Sequence, residues 1–314
     1  MHLSQTTPAF VSLPGADEIF TVAAGDGAVL PVYVLRAESP GPALLLGHAN
    51  GLAAGSYGPW LRDLARDVQV FAFDARGNGG STWPAGPLER VFAVERFADD
   101  LLRVMEAVRA RLAGGRLYYL GHSLGAASGL DLAIAHRLPE LAAVMLIEPP
   151  VFPPPGTSAH AVAERIQPLL IEGARRRRAD WPSVEAFAER LKSGKSPFAR
   201  FAPEILEAHC RATLKPKPGG GFTLCCPPEI EAQVFAAHHR GNAWSRLDQV
   251  EIALDLVGAD PTSVEFDWIA AAIPEMAGRI KRARLTQLAG VNHLMIQEDP
   301  KRLLALVRRW LGYA

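Results

Sequence analysis

The chain has 314 residues, and its 33 basic and 33 acidic side chains give a formal net charge of zero. This balance excludes the basic surface expected of a protein that binds nucleic acid or an anionic membrane. Hydrophobic residues make up 49% of the sequence and charged residues 21%, so a large packed core is expected rather than a disordered chain.

The cysteines and the first residues indicate the compartment and the redox state. Cys210, Cys225 and Cys226 have neither the number nor the spacing of a disulfide framework or a zinc site. The first residues lack the basic and apolar regions of a secretory signal, and no apolar run approaches the ~18 residues that span a bilayer. We therefore predict a soluble, cytoplasmic protein with reduced thiols and no stable membrane anchor.

Short apolar runs alternate with amphipathic stretches along most of the chain, which is typical of a mostly parallel sheet covered by helices. Apolar residues repeat with helical spacing from 97 to 112, and a second such stripe follows Pro300, where Asp299 can cap the helix. Eight strands with intervening helices predict an α/β fold. The predicted strands are residues 19–24, 29–36, 43–46, 68–73, 117–120, 142–147, 252–257 and 283–288.

One segment of about a hundred residues interrupts this alternation. It opens with a proline-rich stretch at 149–156, where prolines prevent both helix continuation and strand pairing. The residues that follow have a helical pattern and no strand pattern, apart from a small turn at 219–221. Since such a long excursion is usually a lid, we predict a core formed by 1–148 and 246–314 and a helical cap at 149–245.

The sharpest local motif is Gly121-His122-Ser123-Leu124-Gly125, which lies between an apolar run and a helical stretch. A serine on a strained strand-to-helix turn needs small neighbours two residues away on either side. The turn raises the Ser123 hydroxyl above the sheet. The Leu124 N–H lies at a helix N-terminus, where it can donate to a developing oxyanion.

A general base and an acid are expected at the same edge of the sheet. His293 follows the last predicted strand, and its imidazole can accept and return a proton near neutral pH. Two carboxylates compete to orient that imidazole. Asp260 follows the strand at 252–257 and is the preferred candidate, whereas Glu148 follows the strand at 142–147 and is the alternative.

The loop after the third strand is expected to supply a second oxyanion donor. The backbone N–H of Asn50 is the first candidate for this donor, and the N–H of Ala49 is the alternative. His48 is predicted to brace the loop. Residues 74–81 have the composition of a tight loop that supports the site.

Together, these ordered motifs resemble those of the α/β-hydrolase superfamily over residues 43–149 and 251–310. The resemblance implies an eight-stranded, mostly parallel sheet flanked by helices, with Ser123 as nucleophile, His293 as general base and Asp260 as orienting acid. The stretch from Cys225 to Glu229 also looks like one in lipase-like members. Relatives commonly have Gly where this chain has Ala49.

The resemblance implies a serine hydrolase, because dehalogenases and epoxide hydrolases of this fold have an elbow aspartate where Ser123 stands. The leading hypothesis is a lipase- or esterase-like enzyme that cleaves a carboxylic ester through an acyl-enzyme, without metal or organic cofactor. The expected partners are water and a small neutral or apolar acyl substrate. The alternatives are a C–C bond hydrolase or an acyltransferase with the same triad, and a non-catalytic protein that binds a small ligand.

Overall fold

The computed structural model describes residues 9–37, 41–112, 114–193, 196–262 and 267–313. The strands within these ranges form one large and one small sheet. They are β1 Glu18–Ala23, β2 Val29–Leu35, β3 Ala43–Gly47, β4 Gln69–Phe73, β5 Leu117–His122, β6 Ala143–Ile147, β7 Asp180–Trp181, β8 Leu214–Pro216, β9 Phe222–Leu224, β10 Leu254–Gly258 and β11 Ala283–Gln287.

The large sheet has eight strands in the order β1-β2-β4-β3-β5-β6-β10-β11. Only the β1–β2 and β2–β4 pairs are antiparallel, and every later pair is parallel. The predicted α/β fold is therefore confirmed, with each of its eight strands in place. Because β3, β5, β6, β10 and β11 run in one direction, the loops that follow them meet at one edge of the sheet.

Helices cover both faces of this sheet, which explains why its central strands are almost continuously apolar. Leu44 and Leu46 pack into one apolar cluster with Val307, while Leu45 packs into the other with Val104. The helices are α1 Gly58–Leu64, α2 Leu88–Val91, α3 Val94–Arg111, α4 Leu124–Ile134, α5 His160–Arg175, α6 Val184–Lys192, α7 Pro203–Thr213, α8 Pro228–His239, α9 Asp267–Arg279, α10 Met295–Glu298 and α11 Pro300–Leu311.

Two helices that the apolar spacing predicted are present with nearly the expected bounds. Helix α3 begins a few residues before the predicted start at position 97. Helix α11 begins at Pro300, and the Asp299 side chain accepts a hydrogen bond from the Arg302 N–H, as expected of a capping residue. No helix among the described residues is both long and apolar enough to cross a membrane.

The segment between β6 and β10 holds helices α5 to α8, as its sequence pattern predicts. It also holds the small antiparallel sheet in the order β7-β9-β8, so the expectation of a strand-free segment is wrong. The predicted turn at 219–221 joins β8 to β9, and the Lys217 N–H donates to the Gly221 carbonyl across it. These strands have only two or three residues each, which is too short for an alternating apolar pattern to show.

His209 on helix α7 joins this inserted segment to the loop that follows β3. Its Nδ1 is 3.0 Å from the Ser56 hydroxyl, and its ring stacks on Phe198 with centroids 5.0 Å apart. Burial lowers the pKa of His209 to about 3. The imidazole is therefore neutral in the folded protein at pH values where it would be protonated in the unfolded chain.

We expect the free energy of unfolding to fall as pH drops below about 6.5, because the unfolded chain then binds a proton that folded His209 rejects. Replacing His209 by glutamine should remove about 2 kcal/mol of the loss between pH 7 and pH 5. Urea unfolding at both pH values measures this difference. His136→Asn is the matched control, since the side chain of His136 is 53% exposed; equal losses in wild type and His209→Gln would contradict the prediction.

Candidate active site

Ser123 occupies a strained turn between β5 and α4. Its backbone has φ 52° and ψ −110°, a conformation that L residues rarely adopt. A Cβ on Gly121 would lie 2.7 Å from the Ala126 backbone, and one on Gly125 would lie 2.3 Å from the Gly47 carbonyl oxygen. Only glycine fits at both positions, so the two glycines of the motif are a packing requirement of the turn.

Three polar side chains form a hydrogen-bonded array above this turn. His293 Nε2 lies 2.9 Å from Ser123 Oγ, and His293 Nδ1 lies 3.1 Å from Glu148 Oε2. All three residues are buried. The side chains come from the ends of β5, β6 and β11, so the parallel sheet brings together residues that are up to 170 positions apart.

Glu148 is held rigidly where β6 ends. It is 0% exposed and has φ 52°, the same unusual value as Ser123. Its N–H donates to the Val257 carbonyl over 2.9 Å, and its Oε1 accepts a hydrogen bond of 2.7 Å from the Ala259 N–H. Because Oε1 is hydrogen-bonded to Ala259, the residue that follows β10, it is Oε2 that faces His293.

Asp260 does not take the position that was expected for it, and this prediction is corrected. One carboxylate oxygen accepts from the Thr262 N–H and hydroxyl, and the other accepts from the Gly290 N–H. These hydrogen bonds, led by that from the Thr262 hydroxyl, lower the pKa of Asp260 to about 2. Asp-Pro-Thr is a turn sequence in which the carboxylate bonds to the backbone two residues on, and Asp260 does this here.

The loop after β3 borders the same pocket. Asn50 and Leu124 line a narrow cavity together with Ser123 and His293. The Ala49 N–H donates to Tyr57 Oη over 3.1 Å, which leaves Asn50 rather than Ala49 as the candidate oxyanion donor of this loop. Leu124 is the first residue of α4, where N–H groups have no acceptor within the helix.

His48 braces this loop, as its position predicts. Its Nε2 accepts a hydrogen bond of 2.9 Å from the Ala75 N–H, and its Nδ1 lies 2.8 Å from the Ala49 carbonyl, so Nδ1 carries the proton. Burial lowers the pKa of His48, which keeps the ring neutral. The His48 carbonyl also accepts from the Gly125 N–H, which ties the loop to the turn that carries Ser123.

The loop at 74–81 supports the site through one buried carboxylate. Asp74 Oδ1 accepts from the Ser12 hydroxyl and the Ala54 N–H, and its Oδ2 accepts from the Tyr33 hydroxyl and the Gly80 N–H. All four donor–acceptor distances are 2.8 or 2.9 Å. This carboxylate therefore closes its own loop through Gly80 and joins it to three other segments of the chain, at Ser12, Tyr33 and Ala54.

A second buried network, which no sequence motif indicated, links the serine turn to the histidine loop. The Tyr57 hydroxyl lies 2.7 Å from His122 Nδ1, and His122 Nε2 lies 2.9 Å from the His293 carbonyl oxygen. Because a carbonyl only accepts, Nε2 carries the proton and Nδ1 accepts from Tyr57. Burial lowers the pKa of His122 to about 3, so the ring stays neutral. His122 thus holds the backbone of His293 in place through its carbonyl oxygen.

The described residues contain no group of three or more His, Cys, Asp or Glu side chains placed to hold a metal ion. Three histidines line the narrow cavity, and none of the other described residues that line it is Cys, Asp or Glu. Those lining residues are Asn50, Ser123, Leu124, Pro150, Gln167, Leu170, Val234, Phe235, His238, His239, Trp268, Ile269 and His293.

The sheet order, the serine turn and the histidine loop define the class of protein. The chain belongs to the alpha/beta hydrolase family, whose model matches residues 43–306.

Individual relatives match less of the chain. It is 34% identical over 101 residues to a protein of Rhizobium rhizogenes named "Putative carbamate hydrolase RutD", a match that covers 32% of this chain and 35% of that protein. The chain therefore aligns with only about a third of the length of this curated relative.

Solved structures resemble the chain over nearly its whole length. E-2-(acetamidomethylene)succinate hydrolase matches with a TM-score of 0.73 and 17% identity, covering 94% of this chain and 100% of that one. The enol-lactonase of Burkholderia xenovorans LB400 matches with a TM-score of 0.63 and 18% identity, covering 93% and 99%. At such identities the likeness shows the fold alone.

Proposed function

We propose that the chain is a serine hydrolase that cleaves a carboxylic ester or related acyl compound through an acyl-enzyme. The observation that carries the proposal is the continuous contact from Ser123 through His293 to Glu148, with distances of 2.9 and 3.1 Å. A serine hydroxyl is a weak nucleophile unless an adjacent base removes its proton, and a third group must orient that base. The array supplies all three groups.

In the proposed first step, Ser123 Oγ attacks the acyl carbon while His293 Nε2 takes the hydroxyl proton. Glu148 faces His293 Nδ1, where it holds the proton-bearing tautomer and stabilises the imidazolium. His293 then gives the proton to the leaving alcohol. Water attacks the acyl-enzyme by the same route, with His293 again as base, and the acid leaves.

The negative oxygen of each tetrahedral intermediate needs fixed donors. We assign this role to the N–H groups of Leu124 and Asn50, both of which line the cavity with Ser123. Their placement is supported by the hydrogen bond from the Gly125 N–H to the His48 carbonyl, which joins the two donor segments. The partners we propose are water and a small neutral or apolar acyl substrate. We also propose a cytoplasmic setting, with residues 149–245 as the cap.

A fluorophosphonate probe tests the proposal directly, because it reacts with an activated serine. We expect one probe molecule per chain, located on Ser123 by peptide mass spectrometry, and none on Ser123→Ala. Ser128→Ala is the matched control, since Ser128 is a buried serine on the same helix whose hydroxyl donates to the Leu124 carbonyl. This control should label at the wild-type rate.

An unlabelled wild-type chain would contradict the proposal and favour a ligand-binding protein. A labelled chain that leaves p-nitrophenyl esters of every chain length intact would instead favour C–C bond hydrolysis. A chain that passes the acyl group to an added alcohol in preference to water would favour an acyltransferase.

The network through Tyr57 carries its own prediction. We expect Tyr57→Phe to lower kcat about tenfold with little change in KM, because it frees the His122 ring that holds the His293 backbone. Steady-state kinetics with an ester substrate measure kcat and KM separately. Tyr118→Phe is the control, since Tyr118 lies on the same strand as His122 but packs edge-on against Trp310. An unchanged kcat in Tyr57→Phe would remove His122 from the positioning of the base.

A further inference from the structure

The loop after β3, which carries the proposed oxyanion donor, is bonded to the segment inserted between β6 and β10. Asn50 Nδ2 donates to the Glu231 carbonyl over 3.0 Å, and Glu231 lies in the first turn of α8. A carbonyl only accepts, so the amide nitrogen of Asn50 must be the atom that faces it. The backbone of Asn50 thus belongs to the core, while its side chain is fixed by the inserted segment.

The carboxylate of Glu231 packs against the next residue of the loop. Gly51 has φ 73°, and a Cβ there would lie 2.8 Å from Glu231 Oε1 and 3.4 Å from Arg177 Nη1. The other carboxylate oxygen, Oε2, forms an ion pair with Arg177. Because the Glu231 side chain is only 9% exposed, it depends on Arg177 for a counter-charge. The ion pair therefore keeps Glu231 in contact with the loop.

The same segment holds the loop at a second point, where His209 contacts Ser56. Helix α7 approaches the loop closely here, because a Cβ on Gly55 would lie 2.8 Å from Ala212 Cβ. Burial and, second to it, the positive charge of Arg177 lower the pKa of His209. Arg177 is therefore close to both contacts between the inserted segment and the loop.

We propose that Arg177 and Glu231 are positioning residues, which hold the Asn50 N–H where it can bind the oxyanion. The inference rests on the proposed function, in which Asn50 is one of the two oxyanion donors. Such donors stabilise the negative oxygen only when they are fixed at hydrogen-bond distance from it before the reaction. Without Arg177, the Glu231 carboxylate would be buried without a counter-charge. It would then turn towards water or take up a proton, and either change releases the loop.

Arg177→Met tests the proposal, with Arg175→Met as the matched control. Arg175 pairs with Glu229, two residues before each member of the pair under test, but this contact is 3.6 Å long and the side chains are 48% and 66% exposed. We expect Arg177→Met to lower kcat for an ester about tenfold with KM within about twofold of wild type, because a displaced donor fails only when the charge develops. Arg175→Met should retain the wild-type kcat. Arg177→Lys restores the charge and should recover most of the rate.

A double variant shows whether the two residues act as a pair. Glu231→Gln keeps the carbonyl that accepts from Asn50 and removes the charge, so it should also lower kcat about tenfold. Arg177→Met combined with Glu231→Gln should lose no more than about tenfold, whereas independent contributions would multiply to about 100-fold and contradict the pairing. Thermal unfolding shows which variants are folded; if Arg177→Met is not, Glu231→Gln alone decides the kinetic result.

A trifluoromethyl ketone separates positioning of the donor from a general loss of structure. Ser123 Oγ adds to the ketone carbon, the hydroxyl proton passes to His293, and the ketone oxygen becomes an oxyanion in the site. We expect the inhibition constant of this ketone to rise about tenfold in Arg177→Met, in step with the loss of kcat. An ester titrated into Ser123→Ala by calorimetry should bind equally with and without Arg177→Met, because no oxyanion forms there.

An active wild type whose kcat and ketone affinity survive both Arg177→Met and Glu231→Gln would overturn the inference. Equal losses in Arg177→Met and Arg175→Met would overturn it too, as would a parallel loss of ester binding to Ser123→Ala, which indicates a merely structural role. Failure of the proposed function is a separate result, seen when wild type neither reacts with the fluorophosphonate nor turns over any ester.

Discussion

Replacing Glu148 by glutamine is expected to lower kcat by about 10³- to 10⁴-fold. The glutamine oxygen can still accept from the Ala259 N–H, which places the amide NH₂ opposite His293 Nδ1. Nδ1 must then accept rather than donate, so the proton moves to Nε2 and the ring can no longer take the proton of Ser123. The loss comes from the wrong tautomer in an otherwise intact site.

Asp260→Asn is the matched control for this prediction. The Asp260 side chain bonds to Thr262 and Gly290 at the surface, so the substitution is expected to change kcat less than about threefold. Initial rates on a p-nitrophenyl ester, with thermal unfolding to show that both variants are folded, decide between them. A larger loss in Asp260→Asn than in Glu148→Gln would return the orienting role to Asp260.

Replacing Ser123 by alanine is expected to lower kcat/KM for an ester by about 10⁴-fold or more. Alanine removes the nucleophile but leaves the proposed oxyanion donors, so a small residual rate above that in water should persist. The backbone strain at φ 52° is present with either residue, so the melting temperature should change little. Pre-steady-state kinetics with the ester in excess should also lose the burst that marks acyl-enzyme formation.

The control for this loss is Ser128→Ala, whose hydroxyl bonds within helix α4. Its kcat/KM should stay within a few-fold of wild type. If Ser123→Ala retains ester turnover while its unfolding curve matches that of wild type, another group performs the attack, and the proposed mechanism is wrong.

The nucleophile turn was predictable because its determinants lie within five residues. Gly121 and Gly125 are required by backbone contacts around Ser123, and apolar runs on either side predict the strand and the helix. The eight strands were predictable for a similar reason, since a sheet buried on both faces leaves continuous apolar runs in the sequence. The strands of the small sheet were missed because two or three residues carry no such pattern.

The choice between two carboxylates required the tertiary structure. Glu148 and Asp260 both follow parallel strands and both lie at the edge where Ser123 and His293 lie. What separates them is the direction of each side chain, which depends on bonds to distant backbone. The Asp260 carboxylate accepts a hydrogen bond from Thr262 within its own turn. The Glu148 carboxylate accepts one from Ala259, which leaves its second oxygen facing His293.

Periodicity and glycine spacing are local properties of the chain, so they were enough to predict the fold class, the strained serine turn and the histidine loop. The balance of 33 basic and 33 acidic side chains predicts no polyanion partner, but it carries no information about the cavity beside Ser123. Two contacts could be read only from the folded chain: Glu148 lies against His293, and the Ala49 N–H donates to the Tyr57 hydroxyl. Each depends on how separate elements of the fold pack against one another, which no local pattern encodes.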